Sequence, residues 1–67
     1  MQIGTVRSID ACGMIQVQLS TRIVHARILK GRSRRGDEVE GYMTPGLCTW
    51  MSKPHRRLIV DVLSTIP

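Results

Sequence analysis

Two clusters of cations are the residues of this 67-residue chain best suited to act on a partner. Arg22, Arg27, Lys30, Arg32, Arg34 and Arg35 follow one another with no acid between them, and Lys53, Arg56 and Arg57 surround His55. Side chains of this kind neutralise phosphates and release condensed counterions, which supplies affinity without reading sequence. A purely solubilising loop is the alternative, but an arginine-rich run without acids suits the flat, bidentate geometry of phosphate contacts better. The whole chain agrees, with ten Lys and Arg against five Asp and Glu and a net charge of +5. Such a balance favours polyanionic partners.

Tyr42 and Trp50 are the only aromatic residues. Stacking on such rings contributes about 1 to 3 kcal/mol per base. Trp50, within Cys48-Thr49-Trp50-Met51, suits a core position as well as a stacking one, whereas Tyr42 has glutamates as its in-phase neighbours and belongs outside. With so few rings, binding should be mainly electrostatic.

Cys12, His25, Cys48 and His55 contain no paired short spacing, so no metal site is expected. Gly31 to Gly36 has the glycine spacing of a phosphate-binding loop but lacks the Lys-Ser/Thr that follows it, which argues against a bound nucleotide. The acids are scattered, and neither histidine has a nucleophile or orienting carboxylate beside it. The reading is therefore a non-enzyme with no catalytic residues and no cofactor. The start of the chain lacks a signal-peptide pattern and no apolar run reaches a membrane span, which points to a cytoplasmic protein with no membrane partner. Both cysteines are then expected to be free thiols.

The elements that must hold these residues are short. Gln2 to Ile9 reads as a strand with Gly4 as a bulge, and Asp10 to Gly13 turns the chain into Met14 to Leu19. There Ile15, Val17 and Leu19 alternate with Gln16 and Gln18, the period of a strand with one buried face. After a break at Ser20-Thr21, Ile23 to Leu29 sets Val24, Ala26 and Ile28 against His25 and Arg27. Gly31 to Gly36 is a loop with nothing to bury. Asp37 to Met43 is a fourth strand, with Val39, Gly41 and Met43 on one face. Thr44 to Arg57 contains Pro45 and Pro54 and is expected to be irregular, leaving Leu58 to Leu63 as the fifth strand. Five strands in so short a chain predict one closed, all-β barrel domain over residues 1–67, with Val6, Ile15, Val17, Leu19, Val24, Ala26, Ile28, Val39, Val60 and Val62 inside.

Gly4-Thr5-Val6, Gly13 to Leu19, Val24 to Ile28 and Gly36-Asp37-Glu38-Val39 resemble the OB-fold, as found in the small bacterial translation initiation factor and the RNA-binding repeats of ribosomal proteins. Gly41-Tyr42-Met43, a long loop and Leu58 to Val62 are similar to single-strand DNA-binding OB domains. The resemblance implies a binding surface on the outer face of the second and third strands, here Gln16, Gln18, His25 and Arg27, flanked by the Thr44 to Arg57 loop. Many OB domains place a helix after the third strand, and this chain has only Lys30 to Gly36 there, so an SH3-like barrel is the rival fold.

The expected function is binding of single-stranded DNA or RNA by Lys30, Arg32, Arg34, Arg35, Lys53, Arg56 and Arg57 with the outer-face residues, Tyr42 and Trp50. The alternative is a structural or protein-interaction barrel, of the kind found among phage or plasmid accessory proteins, that oligomerises or binds an acidic partner. Ile59 and Leu63 favour it, since both fall outside the core on the last strand and predict a homo-oligomer.

Overall fold

In a computed structural model the described residues are 1–53 and 56–66, and they form six strands without a helix. These are β1 (Gln2–Ile9), β2 (Met14–Gln18), β3 (Ile23–Lys30), β4 (Glu38–Gly41), β5 (Gly46–Ser52) and β6 (Arg56–Ile66). Around the ring they run β1-β2-β3-β6-β5-β4, and β4 pairs back onto β1 to close the barrel. Every pairing is antiparallel. Two three-stranded meanders are thus joined along β3–β6 and β1–β4. No described helix is long and apolar enough to cross a membrane.

The expected all-β closed barrel is present, but with six strands in place of five. The missing strand is β5, which occupies half of the segment expected to be irregular. A ring in which each strand opposes both neighbours needs an even number of strands, so this antiparallel closure could not have been made with five. Pro45 precedes β5 and leaves its ladder intact, as proline does when it stands before the first strand residue. The last strand is also longer than expected, starting at Arg56 and ending at Ile66.

The barrel interior follows the alternation in the sequence. Val6, Ile15, Val17, Leu19, Val24, Ala26, Val39, Val60 and Val62 are buried, and Ile28 is partly buried against them. Met43, Trp50 and Leu58 complete the core. Trp50 is the largest of these, and the neighbouring strand β4 carries no side chain beside it, at Gly41. A β-carbon at Gly41 would stand 2.5 Å from Trp50 Cδ1, closer than packed carbon atoms approach.

The bulge in β1 lies at Arg7, between the Val6–Val17 and Ser8–Gln16 pairs, and not at Gly4. Gly4 is smooth strand, and its lack of a side chain makes room for Val17 Cγ1, 2.5 Å from where a β-carbon would be. The turn from β1 to β2 is held by Asp10, whose Oδ1 accepts the amides of Cys12 at 2.8 Å and Met14 at 3.0 Å. This is the local bonding that makes aspartate a turn residue.

Candidate nucleic-acid interface

The basic loop is a built structure. Gly31 opens it with a φ of 98°, in the left-handed region that suits glycine, and a β-carbon there would meet the Arg57 carbonyl oxygen at 2.6 Å and Leu58 Cδ2 at 2.9 Å. The chain after β3 therefore lies directly against the start of β6. Ser33, expected to have nothing to bury, is in fact buried, and its Oγ donates to Asp37 Oδ2 at 3.1 Å. The Arg34 amide donates to the same oxygen at 2.8 Å. On the other side the loop is stitched to β1, with Gly36 N donating to Val6 O and Val6 N to Asp37 O, both at 2.8 Å.

The packing of Gly31, and not these bonds, sets the start of the loop beside the start of β6. Arg32, Arg34 and Arg35 are exposed on the loop, Lys30 is exposed at the end of β3, and Arg56 and Arg57 are exposed at the start of β6. The acids at this end of the barrel are already engaged. Asp37 is turned into the loop, and Glu38 Oε1 pairs with Lys53 Nζ at 3.0 Å. The bond to Glu38, and then its charge, hold the Lys53 ammonium above the usual lysine range. Lys53 is thus already paired with a carboxylate at the surface. His55 lies outside the described residues.

Asp37 was not singled out among the site residues. The Arg34 amide is the main cause that holds its carboxyl below the usual carboxylate range; burial opposes this, while the Ser33 hydroxyl and the charges of Arg56 and Arg34 assist. A carboxyl whose folded pKa is lowered stabilises the fold above its unfolded value, and that contribution is lost as pH falls through the folded one, below about 4. The Arg34 amide resonance, followed by NMR through this range, is expected to titrate with a midpoint below that of an ordinary aspartate and to stay flat in Asp37→Asn. A midpoint at or above the ordinary value would contradict the bond.

Of the outer-face residues, Gln16 and His25 stand opposite one another on β2 and β3, both half-buried. Arg27 is exposed between Met14 and Asp61. Gln18 is exposed but committed, since its Nε2 donates to Leu19 O at 2.7 Å and Arg22 O at 3.3 Å and its Oε1 accepts from Arg7 Nη1 at 3.3 Å. It closes the β2–β3 hairpin.

The aromatic residues do not join the site. Trp50 is wholly buried and its indole N–H donates to Tyr42 O at 2.8 Å, so the core role holds and the stacking role is withdrawn. Tyr42 is exposed, but it follows β4, whereas the basic loop precedes that strand. It belongs to the other end of the barrel. Cys12 and Cys48 are unbridged, one in the β1–β2 turn and the other on β5. Comparison with family models, curated proteins and solved structures gives no match for this chain.

Proposed function

We propose that this barrel binds nucleic acid, single-stranded DNA or RNA in preference to duplex, through an electrostatic surface made by Lys30, Arg32, Arg34, Arg35, Arg56 and Arg57. The observation that carries this reading is the packing of Gly31 against Arg57 and Leu58, which sets the loop bearing one cluster beside the strand bearing the other. The fold fits an OB-like barrel, and the polar residues Arg27, Gln16 and His25 offer a single strand a path from the loop along β3.

The preference for single strands rests on size and stiffness. The Cα extents are 26 × 22 × 19 Å, while duplex DNA stays straight over about 50 nm and would touch such an end only tangentially. A flexible strand can follow the curved end. Because neither aromatic lies there, bases are not stacked and sequence preference is weak. Neutralising about four phosphates of a single strand gives a log affinity that falls with log salt at a slope of roughly −3.

Aspartate 37 offers a test in which charge and order pull in opposite directions. Asp37→Ala raises the net positive charge and, by charge alone, should tighten binding to a polyanion. If the pinned loop is what aligns the arginines, Asp37→Ala is expected to weaken binding to a fluorescent single strand several-fold at fixed salt. Tighter binding in that variant would mean that bulk charge, and not this surface, attracts the ligand. The rival reading, a protein-interaction barrel, gains support from the opposite end of the molecule.

A further inference from the structure

The end of the barrel away from the basic loop combines exposed apolar side chains with an unpaired strand edge. β6 runs beyond its neighbour β5, whose pairing begins at Gly46–Val62, and continues to Ile66 with β3 alone. Among the described residues no strand lies along the other edge of Ser64 to Ile66. Leu63 is the extra residue of a bulge between the Ala26–Val62 and His25–Ser64 pairs, and it is 46% exposed. Ile66 is 49% exposed, opposite half-buried Ile23. Leu47 is 74% exposed on β5, opposite Asp61 and so diagonal to Leu63. Leu47, Leu63, Ile66 and Ile23 make an apolar band that the core does not use.

Sheet proteins commonly protect a free edge with charge or proline. The stretch from Leu63 to Ile66 carries neither within it, and a proline, Pro67, follows it in sequence. We infer that this end is where a second copy of the chain docks, pairing Ser64 to Ile66 of the two copies antiparallel about a twofold axis and packing the two apolar bands together. An isologous contact of this kind needs a self-complementary surface. The band meets that need: it is neutral at its centre, and the ionic residues paired beside it, Arg27 and Asp61, have opposite signs. The +5 charge of each copy does not oppose the contact. The basic loop lies at the opposite end of a molecule with Cα extents of 26 × 22 × 19 Å, so its charge is separated from the contact by up to about three screening lengths of roughly 8 Å at physiological salt.

Area decides how much of this end must be covered. A standard interface takes about 800 Å² from each partner, a little under a fifth of the 4529 Å² surface of this chain. Three paired residues do not supply that. The contact must extend across Leu47 toward Tyr42 and Met1, which are 64% and 76% exposed on the same side of the barrel. This relocates the association expected of the last strand: Ile59 is half-buried between Lys30 and Thr49 and takes no part, whereas Leu63 and Ile66 do.

Sedimentation equilibrium of the intact chain tests the inference. The expected result is a mass near twice 7.5 kDa at high micromolar concentration, with dimerisation weakened roughly tenfold or more in Leu63→Lys and in Ile66→Lys. Leu47→Lys reaches the same band from β5 and is expected to act alike, which guards against a β6 variant that fails to fold. Leu29→Lys, at the basic end, should leave the dimer unchanged. A wild-type chain that stays monomeric, a dimer indifferent to Leu47→Lys, Leu63→Lys and Ile66→Lys, or equal weakening by Leu29→Lys would each overturn the proposal.

Discussion

Replacing Trp50 by alanine is expected to leave the chain unfolded or nearly so at room temperature. The indole is fully buried and is the largest side chain of the core. Removing a buried Trp typically costs about 3 to 5 kcal/mol, because the lost transfer energy is joined by a cavity that the neighbours fill only in part. At about 0.05 to 0.15 kcal/mol per residue, a chain of this length has only about 3 to 10 kcal/mol to lose. The substitution also deprives the Tyr42 carbonyl of its donor. Trp50→Phe keeps much of the ring but not the N–H, and should fall between wild type and Trp50→Ala. Urea unfolding followed by far-UV circular dichroism gives the order directly. Tyr42→Ala, which removes an exposed ring, should unfold within a few tenths of a kcal/mol of wild type. A Trp50→Ala transition at the wild-type midpoint would mean that β5 does not present this face inward.

The second large effect is on binding. Replacing Arg32, Arg34 and Arg35 together with alanine is expected to reduce affinity for a single strand by two orders of magnitude or more at low salt and to make the salt slope shallower. Three of the proposed contacts are then gone, and each lost phosphate contact flattens the slope by about 0.7. The loss should be the same for all sequences, since contacts to phosphate position a strand without reading it. The fold should survive. All three side chains are exposed, and the bonds that pin the loop come from Ser33, the Arg34 backbone and Asp37.

The strands that announced themselves in the sequence are those with one wet face. Ile15, Val17 and Leu19 alternate with glutamines, and Val24 and Ala26 with His25 and Arg27, so the inside of the barrel could be read residue by residue. β5 gave no such sign. Its inward residues are Cys48, Trp50 and Ser52, and its outward ones are Leu47, Thr49 and Met51, so apolar residues stand on both faces and period two is lost. The prolines on either side then suggested a loop. Part of this pattern has a physical meaning in this account, because the outward Leu47 belongs to the end where a second copy is proposed to dock, whereas Met51 lies beside Arg57 toward the other end.

The cationic surface was legible as two runs of charge, and their meeting was an expectation about topology that the Gly31 contact with β6 fits. Less legible was the internal order of the loop. Ser33 and Asp37 lie four residues apart in a stretch dominated by arginine, and only the fold reveals that Asp37 collects two donors. Tyr42 could be placed outside from its in-phase glutamates, but Trp50 could not be assigned from spacing alone, because a ring in a strand without clear alternation suits a core or a surface equally well.

The central claim is that the Gly31 to Asp37 loop and the first residues of β6 form one surface for a polynucleotide backbone. The most direct measurement is fluorescence anisotropy of a labelled single strand titrated with wild-type protein and with the Arg32, Arg34 and Arg35 triple alanine variant over a series of salt concentrations. The account predicts a wild-type slope of roughly −3 and a slope nearer −1 for the variant, with parallel losses for DNA and RNA of any sequence. No detectable wild-type binding at low salt, or identical affinities and slopes for the two proteins, would contradict it.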